Sequence, residues 1–398
     1  MFSVDNNTVA RQYFSPLNDE RMNCKARNCE YTKLSDGGLL KVLLLAKLKG
    51  WKDLRTIEKG IRAEPELQDI VGIDSFSASQ LSRRKNRLDT DELARILGRL
   101  AAIYRRKTVY RKGVSTRIGK LSIIDATSVT LSQHARHWTG VRQDYTGVKL
   151  HVRMVAASTD SVMADCAFAS TGNVSDVEVV NHFMDSDRDT TYVMDRGYAE
   201  KSKIAGWIAR DVKFVIRVKK NFNVETIEEL PVSDPRVIRD EIVSIKTCSY
   251  LVRLIEFHDD EGTLFRLLTN RYDLSQQEIM ETYKNRWMIE LFFKWMKQHL
   301  DLAEIKTQTA RGIWNDLFIS LIAYALLEIQ RLESFPKLAA RELLRTIKLY
   351  LFKKWNEMRL EIQRKPMFTT EGRKSNRGHP KPVPEFTEAY VIARPISY

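Results

Sequence analysis

The sequence predicts an α/β protein, a mixed β-sheet with helices, flanked by helical regions at both ends. Three observations predict it. Between residues 121 and 220, short strand-like runs and amphipathic segments follow one another as βββαβαβ, an order that folds as a mixed sheet with helices packed on it. Residues before about 115, and again from about 301 to 362, carry helical patterning. The chain has 398 residues, 43% of them hydrophobic, enough to build sizeable cores.

Taken in order, Gly38–Leu48 is a strongly apolar helix, Lys52–Ile61 a shorter one and Ser79–Tyr104 a long amphipathic one. The stretch 77–88, SASQLSRRKNRL, begins with capping residues and then presents Arg83, Arg84, Lys85 and Arg87. Strands are expected at 121–131 (LSIIDATSVTL), Lys149–Ser158 and Val162–Ser170. A helix over Val174–Asp185 leads to a strand within 190–198 (TTYVMDRGY), a helix over Ala199–Arg210 and a strand over Lys213–Lys220. Residues 221–275 hold acidic turns and two strong strands, Tyr250–Phe257 and Thr263–Arg271, joined by the polar turn His258–Gly262. The apolar run Leu317–Ile329 is interrupted by Ser320 and Glu328, is too short to span a bilayer and reads as a buried helix.

Three acidic residues stand out against this frame. Asp125 follows an apolar run and precedes alternating β-branched residues; Asp195 ends an apolar run before a Gly-containing turn. A carboxylate in or at the end of a buried strand is costly unless paired or bound to a cation. Taken singly, either could be a turn former or a cap. The third, Glu290, sits in YKNRWMIELFFKWMK, Tyr283–Lys297. Written as one helix, this segment places Tyr283, Arg286, Glu290, Lys294 and Lys297 within an arc of roughly 80°. Most of the remaining surface is apolar and asks for burial. Two Asp and one Glu make a hard-oxygen donor set of the kind that holds Mg²⁺ with water and phosphate.

Tyr283, Arg286, Glu290 and Lys297 match a Tyr-x2-Arg-x3-Glu-x6-Lys signature, with Lys294 at an additional basic position. The DRGY around Asp195 and the GNVSD at 172–176 are also familiar segments. From about 115 to 330 the chain resembles the DDE insertion-sequence transposases, mobile-element enzymes with a ribonuclease-H-like catalytic core. The resemblance implies Asp125, Asp195 and Glu290 as catalytic metal ligands for two Mg²⁺ ions about 4 Å apart, with Mn²⁺ able to substitute. It implies Mg²⁺-dependent DNA strand cleavage and strand transfer, cut-and-paste in outline, at terminal inverted repeats. Double-stranded DNA is then the partner, and a homodimer forms the synaptic complex. Tyr283, Arg286, Lys294 and Lys297 would bind phosphates. Arg196 is a further phosphate contact or else a structural salt bridge, and Lys149 and His151 lean toward the same groove.

The expected organisation is a helical DNA-binding region at 1–115, the first part of the core at 116–220 and a β-rich insertion at 221–275. The Glu290 helix and C-terminal helices occupy 276–362, and a basic Pro-rich tail occupies 363–398. Arg83, Arg84 and Lys85 suit a helix-turn-helix-like reader of element ends, or equally a solvated charged helix. In relatives, the insertion holds a flipped base against an aromatic side chain; here its β-rich part has no Trp, leaving Tyr250, Phe257 and Phe265.

The formal net charge of +14 favours a polyanionic partner. Cys24, Cys29, Cys166 and Cys248 form no CxxC pair, which argues against a zinc site. With no apolar leader among Met1–Asn28, a cytoplasmic protein without membrane association is expected. Two alternatives stay open: a metal-dependent DNA nuclease, and a catalytically silent DNA-binding relative.

Overall fold

A computed structural model of the chain describes residues 7–18, 34–132, 135, 139, 146–184, 190–245, 250–302 and 305–364. Cys24, Cys29, Cys248 and the Pro-rich tail lie outside the described residues. The chain divides into a body that runs to Met358 and a piece from Arg359 onward, of which residues 359–363 finish the last helix.

Six helices open the body: α1 (Val9–Phe14), α2 (Asp36–Lys49), α3 (Leu54–Ala63), α4 (Pro65–Val71), α5 (Ala78–Lys85) and α6 (Thr90–Lys107). Their starts are written in the sequence. Thr8, Ser35, Asp53, Ser77 and Asp89 each accept a first-turn N–H, and α4 begins on Pro65. The helix expected over Ser79–Tyr104 is therefore two. Asp89 caps a new start, and Asn315 from a later helix donates to the carbonyls of Lys85 and Leu88 that the break leaves over (2.9 and 3.1 Å).

Nine strands follow: β1 (Lys120–Thr130), β2 (Gly147–Ser158), β3 (Ser161–Thr171), β4 (Thr190–Met194), β5 (Phe214–Arg217), β6 (Glu225–Glu229), β7 (Val237–Ser244), β8 (Leu251–His258) and β9 (Leu264–Thr269). The connection from β3 to β4 is α7 (Asp176–Val179) and a 3₁₀ turn over Val180–Phe183, shorter than the helix expected there; α8 (Lys201–Ala209) links β4 to β5. One sheet takes all nine in the order β3-β2-β1-β4-β5-β9-β8-β7-β6. β2 is antiparallel to β1 and β3, while β1, β4 and β5 run parallel, the ribonuclease-H-like arrangement. β9 pairs antiparallel with β5, so the strands of 221–275 continue the same sheet. Trp207, Tyr192, Phe183, Phe214 and Ile124 fill the core on one face.

The C-terminal helices are α9 (Gln276–Lys284), α10 (Trp287–His299), α11 (Ala310–Ser334), α12 (Ala340–Tyr350) and α13 (Trp355–Gln363). α11 is long and apolar enough to cross a membrane by length and composition. However, 94% of its most apolar window is buried inside the protein, against α2, α6 and β3, as in a core helix. Its buried Glu328 is matched by Arg331 (2.7 Å) and accepts from Ser161 (2.9 Å).

β1 is aimed by the loop that precedes it. Gly113 has φ +81, and a Cβ there would collide with the Gly119 carbonyl, whose oxygen accepts from Val114 N–H (2.9 Å). Gly113→Ala is expected to cost roughly 3 kcal/mol, from an unfavourable φ and a backbone clash together. Urea unfolding checks this, and a loss below about 0.5 kcal/mol would contradict it.

Candidate active site

Parallel pairing of β1 with β4 runs from Lys120↔Thr190 to Ile124↔Met194. One residue beyond that paired register lie Asp125, still within β1, and Asp195, just past the end of β4. β1 continues, with Asp125 opposite Val152 of β2, whereas β4 ends and the chain turns at Asp195. The N–H of Tyr198 closes that turn on the Asp195 carbonyl (3.1 Å).

The third carboxylate arrives on α10. The segment expected as one helix is α9 and α10, separated by a turn at Asn285 and Arg286. Both residues keep right-handed helical dihedrals, and the hydrogen bonds tighten to three-residue spacing: Arg286 N–H to the Tyr283 carbonyl (2.9 Å) and Met288 N–H to that of Asn285 (3.0 Å). The polar seam therefore survives the break. The expectation that the rest of the segment is buried fails for Trp287 and Leu291, which are 60% and 61% exposed.

The seam reaches both aspartates. Tyr283 donates its hydroxyl to Asp195 Oδ1 (3.1 Å), so in this state it orients a carboxylate and not a phosphate. Arg286 Nη1 donates to Asp125 Oδ2 (3.2 Å) and Nη2 to Glu290 Oε1 (2.5 Å), a cation set between two acids. The Ala126 N–H donates to Asp125 Oδ1 (2.8 Å). Asp125 and Glu290 open onto a cleft of 570 Å³, lined also by Thr127, Phe293, Lys294 and Lys297. Burial pushes the Asp125 carboxyl up to about 6; the Ala126 N–H and Arg286 oppose this, and the charges of Asp195 and Glu290 add to it. Burial, with the Asp195 charge, holds the Tyr283 phenol protonated, and burial lowers the Lys297 ammonium.

The donor chemistry at the cleft suits a hard cation such as Mg²⁺: Asp125 and Glu290 line it with no sulfur or imidazole beside them, while Asp195 lies outside its lining. Among the described residues no three acidic, His or Cys side chains are already gathered around one point. The Arg286 guanidinium bonds both Asp125 and Glu290.

Other expected residues fall elsewhere. Lys149 Nζ bonds Asp176 Oδ1 and the Val174 carbonyl (both 3.2 Å), and His151 Nδ1 lies 3.5 Å from Asp176 Oδ1. The two therefore converge on the Asp of GNVSD. Arg196 is exposed and makes no ion pair with a described residue. Arg84 is paired with Asp36, and Lys85 with Asp316 (2.5 Å) and Thr307 (2.8 Å), so both are engaged inside the fold. Arg83 is exposed at a separate cleft of 880 Å³. Phe257 and Phe265 stack on each other, and Phe265 packs edge-on against Tyr283; Tyr250 remains 41% exposed. Sequence reasoning passed over Asp176 and Tyr198 as site residues, although both lie in the GNVSD and DRGY segments.

A ribonuclease-H-like sheet with one aspartate inside β1, another just past β4, a helix-borne glutamate and lysines lining the cleft belongs to a class of fold that handles nucleic-acid strands. A family model, the Transposase DDE domain, matches residues 117–326, more than half of the chain. The chain belongs to the DDE transposases, enzymes that cleave DNA and transfer its strands. It is 28% identical over 297 residues to a probable transposase for insertion sequence element IS5377 of Geobacillus stearothermophilus, covering 73% of this chain and 74% of that protein. It is likewise 28% identical over 219 residues to a putative transposase, y4zB, of Sinorhizobium fredii, covering 52% of this chain and 60% of that protein.

Asp125 ties the site to stability. Its folded-state pKa of about 6 stands above the unfolded value of 3.8, so ionising it opposes folding. The opposition grows as pH rises through that interval and is complete above it. Asp125→Asn should therefore stabilise the metal-free protein at pH 7 by on the order of 2 kcal/mol, with the gain vanishing near pH 4. Urea unfolding at both pH values checks this; a destabilised variant at pH 7 would contradict it.

Proposed function

We propose that the protein is the transposase of an insertion sequence, which binds the terminal inverted repeats of its element and moves it by a cut-and-paste route. The observation that supports this is that Asp125 and Glu290 line one cleft with Lys294 and Lys297, while Tyr283 and Arg286 of the same helical segment reach Asp195 and Asp125. A nuclease on the same core would cut without joining, and a silent relative would do neither.

Asp125, Asp195 and Glu290 would hold the divalent metal, two Mg²⁺ ions or Mn²⁺ in their place. Bound there, the metal supplies activation of the attacking hydroxyl and stabilisation of the leaving oxygen during in-line displacement at phosphorus. Everything else is work for the chain. Tyr283 holds one oxygen of Asp195, so the strand-end carboxylate keeps a fixed orientation. Arg286, once released from Asp125 and Glu290, has a planar fork suited to a phosphate next to the reacting one. Lys294 is exposed and Lys297 half-buried at the cleft, and both act as point charges on flanking phosphates.

Recognition of the element ends falls to the N-terminal helices. The 880 Å³ cleft among α2, α3, α5 and residues 306–309 is lined by Lys47, Lys52, Arg55, Arg83, Lys85 and Lys306 with Asp53, Asp301 and Asp316, a surplus of cations that suits a DNA backbone. DNA acts as both donor and target, and the synaptic complex is a homodimer acting on cytoplasmic DNA.

Glu290→Gln is expected to keep the fold and DNA affinity while strand cleavage falls to background. The test uses a plasmid carrying the gene's native flanks with Mg²⁺, with DNA ends and joined products mapped. Wild-type-like cleavage by the variant would remove Glu290 from the site, and cutting without joining by wild type would favour the nuclease. Lys297→Ala should weaken duplex binding several-fold and flatten its salt dependence by about one counterion. An unchanged slope of affinity against salt would take Lys297 off the phosphate path.

A further inference from the structure

Among the described residues, every arginine in a strand of the sheet but one is matched by an acid. Arg153 pairs with Asp165 (2.8 Å), Arg239 with Glu241 (2.6 Å), Arg253 with Asp240 (2.7 Å) and Arg266 with Glu256 (2.6 Å). Arg217, the last residue of β5, is half-buried and makes no ion pair with a described residue. Its guanidinium lies over the Phe265 ring, 4.0 Å from the centroid. Its side chain makes one long hydrogen bond, Nη2 donating to the Leu264 carbonyl (3.4 Å), which leaves most of its five N–H donors open. Stacking on a ring is a common arginine contact, but it does not replace the acid that a partly desolvated cation calls for.

The sheet brings this cation to the acidic site. β4 lies between β1 and β5. The β4–β5 register ends at Met194↔Ile216, and one residue beyond it lie Asp195 and Arg217. Tyr283 ties the two together: its hydroxyl holds Asp195 (3.1 Å), and its ring packs edge-on against the Phe265 ring that carries Arg217. Lys294 and Lys297 belong to the other side, in the cleft that Asp125 and Glu290 line and Asp195 does not. Beyond Arg217 the chain presents Lys219 and Lys220, both exposed and neither ion-paired with a described residue. Arg266 donates to the carbonyls of both lysines and so pins the turn that bears them.

We propose that Arg217 is a DNA-phosphate contact of the acidic site on the β5 side of Asp195, with Lys219 and Lys220 continuing the same path. This rests on the acidic site being the place where DNA is cut. A guanidinium held over a ring has its plane set in advance, and its free edge offers a phosphate two parallel N–H donors with little freedom left to lose. Phe257, stacked on the far partner Phe265, steadies that platform. A DNA strand then crosses the acids between two sets of cations, Lys294 and Lys297 on one side and Arg217 on the other. Arg217 binds and makes or breaks no bond.

The test measures binding of a duplex from the gene's native flank to the full-length, metal-free protein across a salt series. Arg217→Ala should bind roughly tenfold more weakly. Its slope of affinity against salt should be shallower by about one counterion. Arg217→Lys, which keeps the charge and loses the planar fork, should recover the slope and part of the affinity. A wild-type slope in Arg217→Ala would overturn the proposal, whatever the affinity. So would an Arg217→Lys variant as shallow as Arg217→Ala, because lost packing on Phe265 would then explain both. Asp125→Asn, assayed for cleavage of the flank plasmid with Mg²⁺, separates the two levels. If that variant still cuts, the acidic site is misplaced and the role of Arg217 falls with it. If it does not cut and Arg217→Ala keeps the wild-type slope, Arg217 alone is misplaced.

Discussion

A buried carboxylate inside a strand is costly, and the groups around Asp125 answer that cost. Burial is the main reason its pKa is raised, and the charges of Asp195, just past the end of β4, and Glu290 add to it. The fold responds with donors: the Ala126 N–H, the Tyr283 hydroxyl and above all Arg286, which also draws Glu290 in. In the free protein a guanidinium does the work of charge compensation that a divalent metal would do in the working enzyme. A metal held by Asp125 and Glu290, as proposed, would compete with Arg286 for both carboxylates.

Much of this was legible in the sequence because burial and carboxylates are incompatible without a reason. Asp125 inside an otherwise apolar strand and Asp195 closing an apolar run stood out, and the spacing of Tyr283, Arg286 and Glu290 marked a shared seam. Other features were hidden by long-range pairing. β7 escaped notice because it buries Asp240 and Glu241, whose charges break its alternation; they are matched by Arg253 (2.7 Å) and Arg239 (2.6 Å). β6, ETIEE, is exposed throughout and has no apolar face to find. Arg84 and Lys85 looked available for DNA, but their partners Asp36 and Asp316 lie 48 and 231 residues away. The break at Asn285–Arg286 had no glycine or proline to announce it.

The most direct test is diffraction from crystals of the protein with an element-end duplex and Mn²⁺, using the anomalous signal of manganese. The expected result is manganese bounded by Asp125, Asp195 and Glu290, with Arg286 withdrawn from the first and last and resting on a DNA phosphate. Manganese elsewhere in a complex that still cuts DNA, or Arg286 unmoved between its two acids, would contradict it.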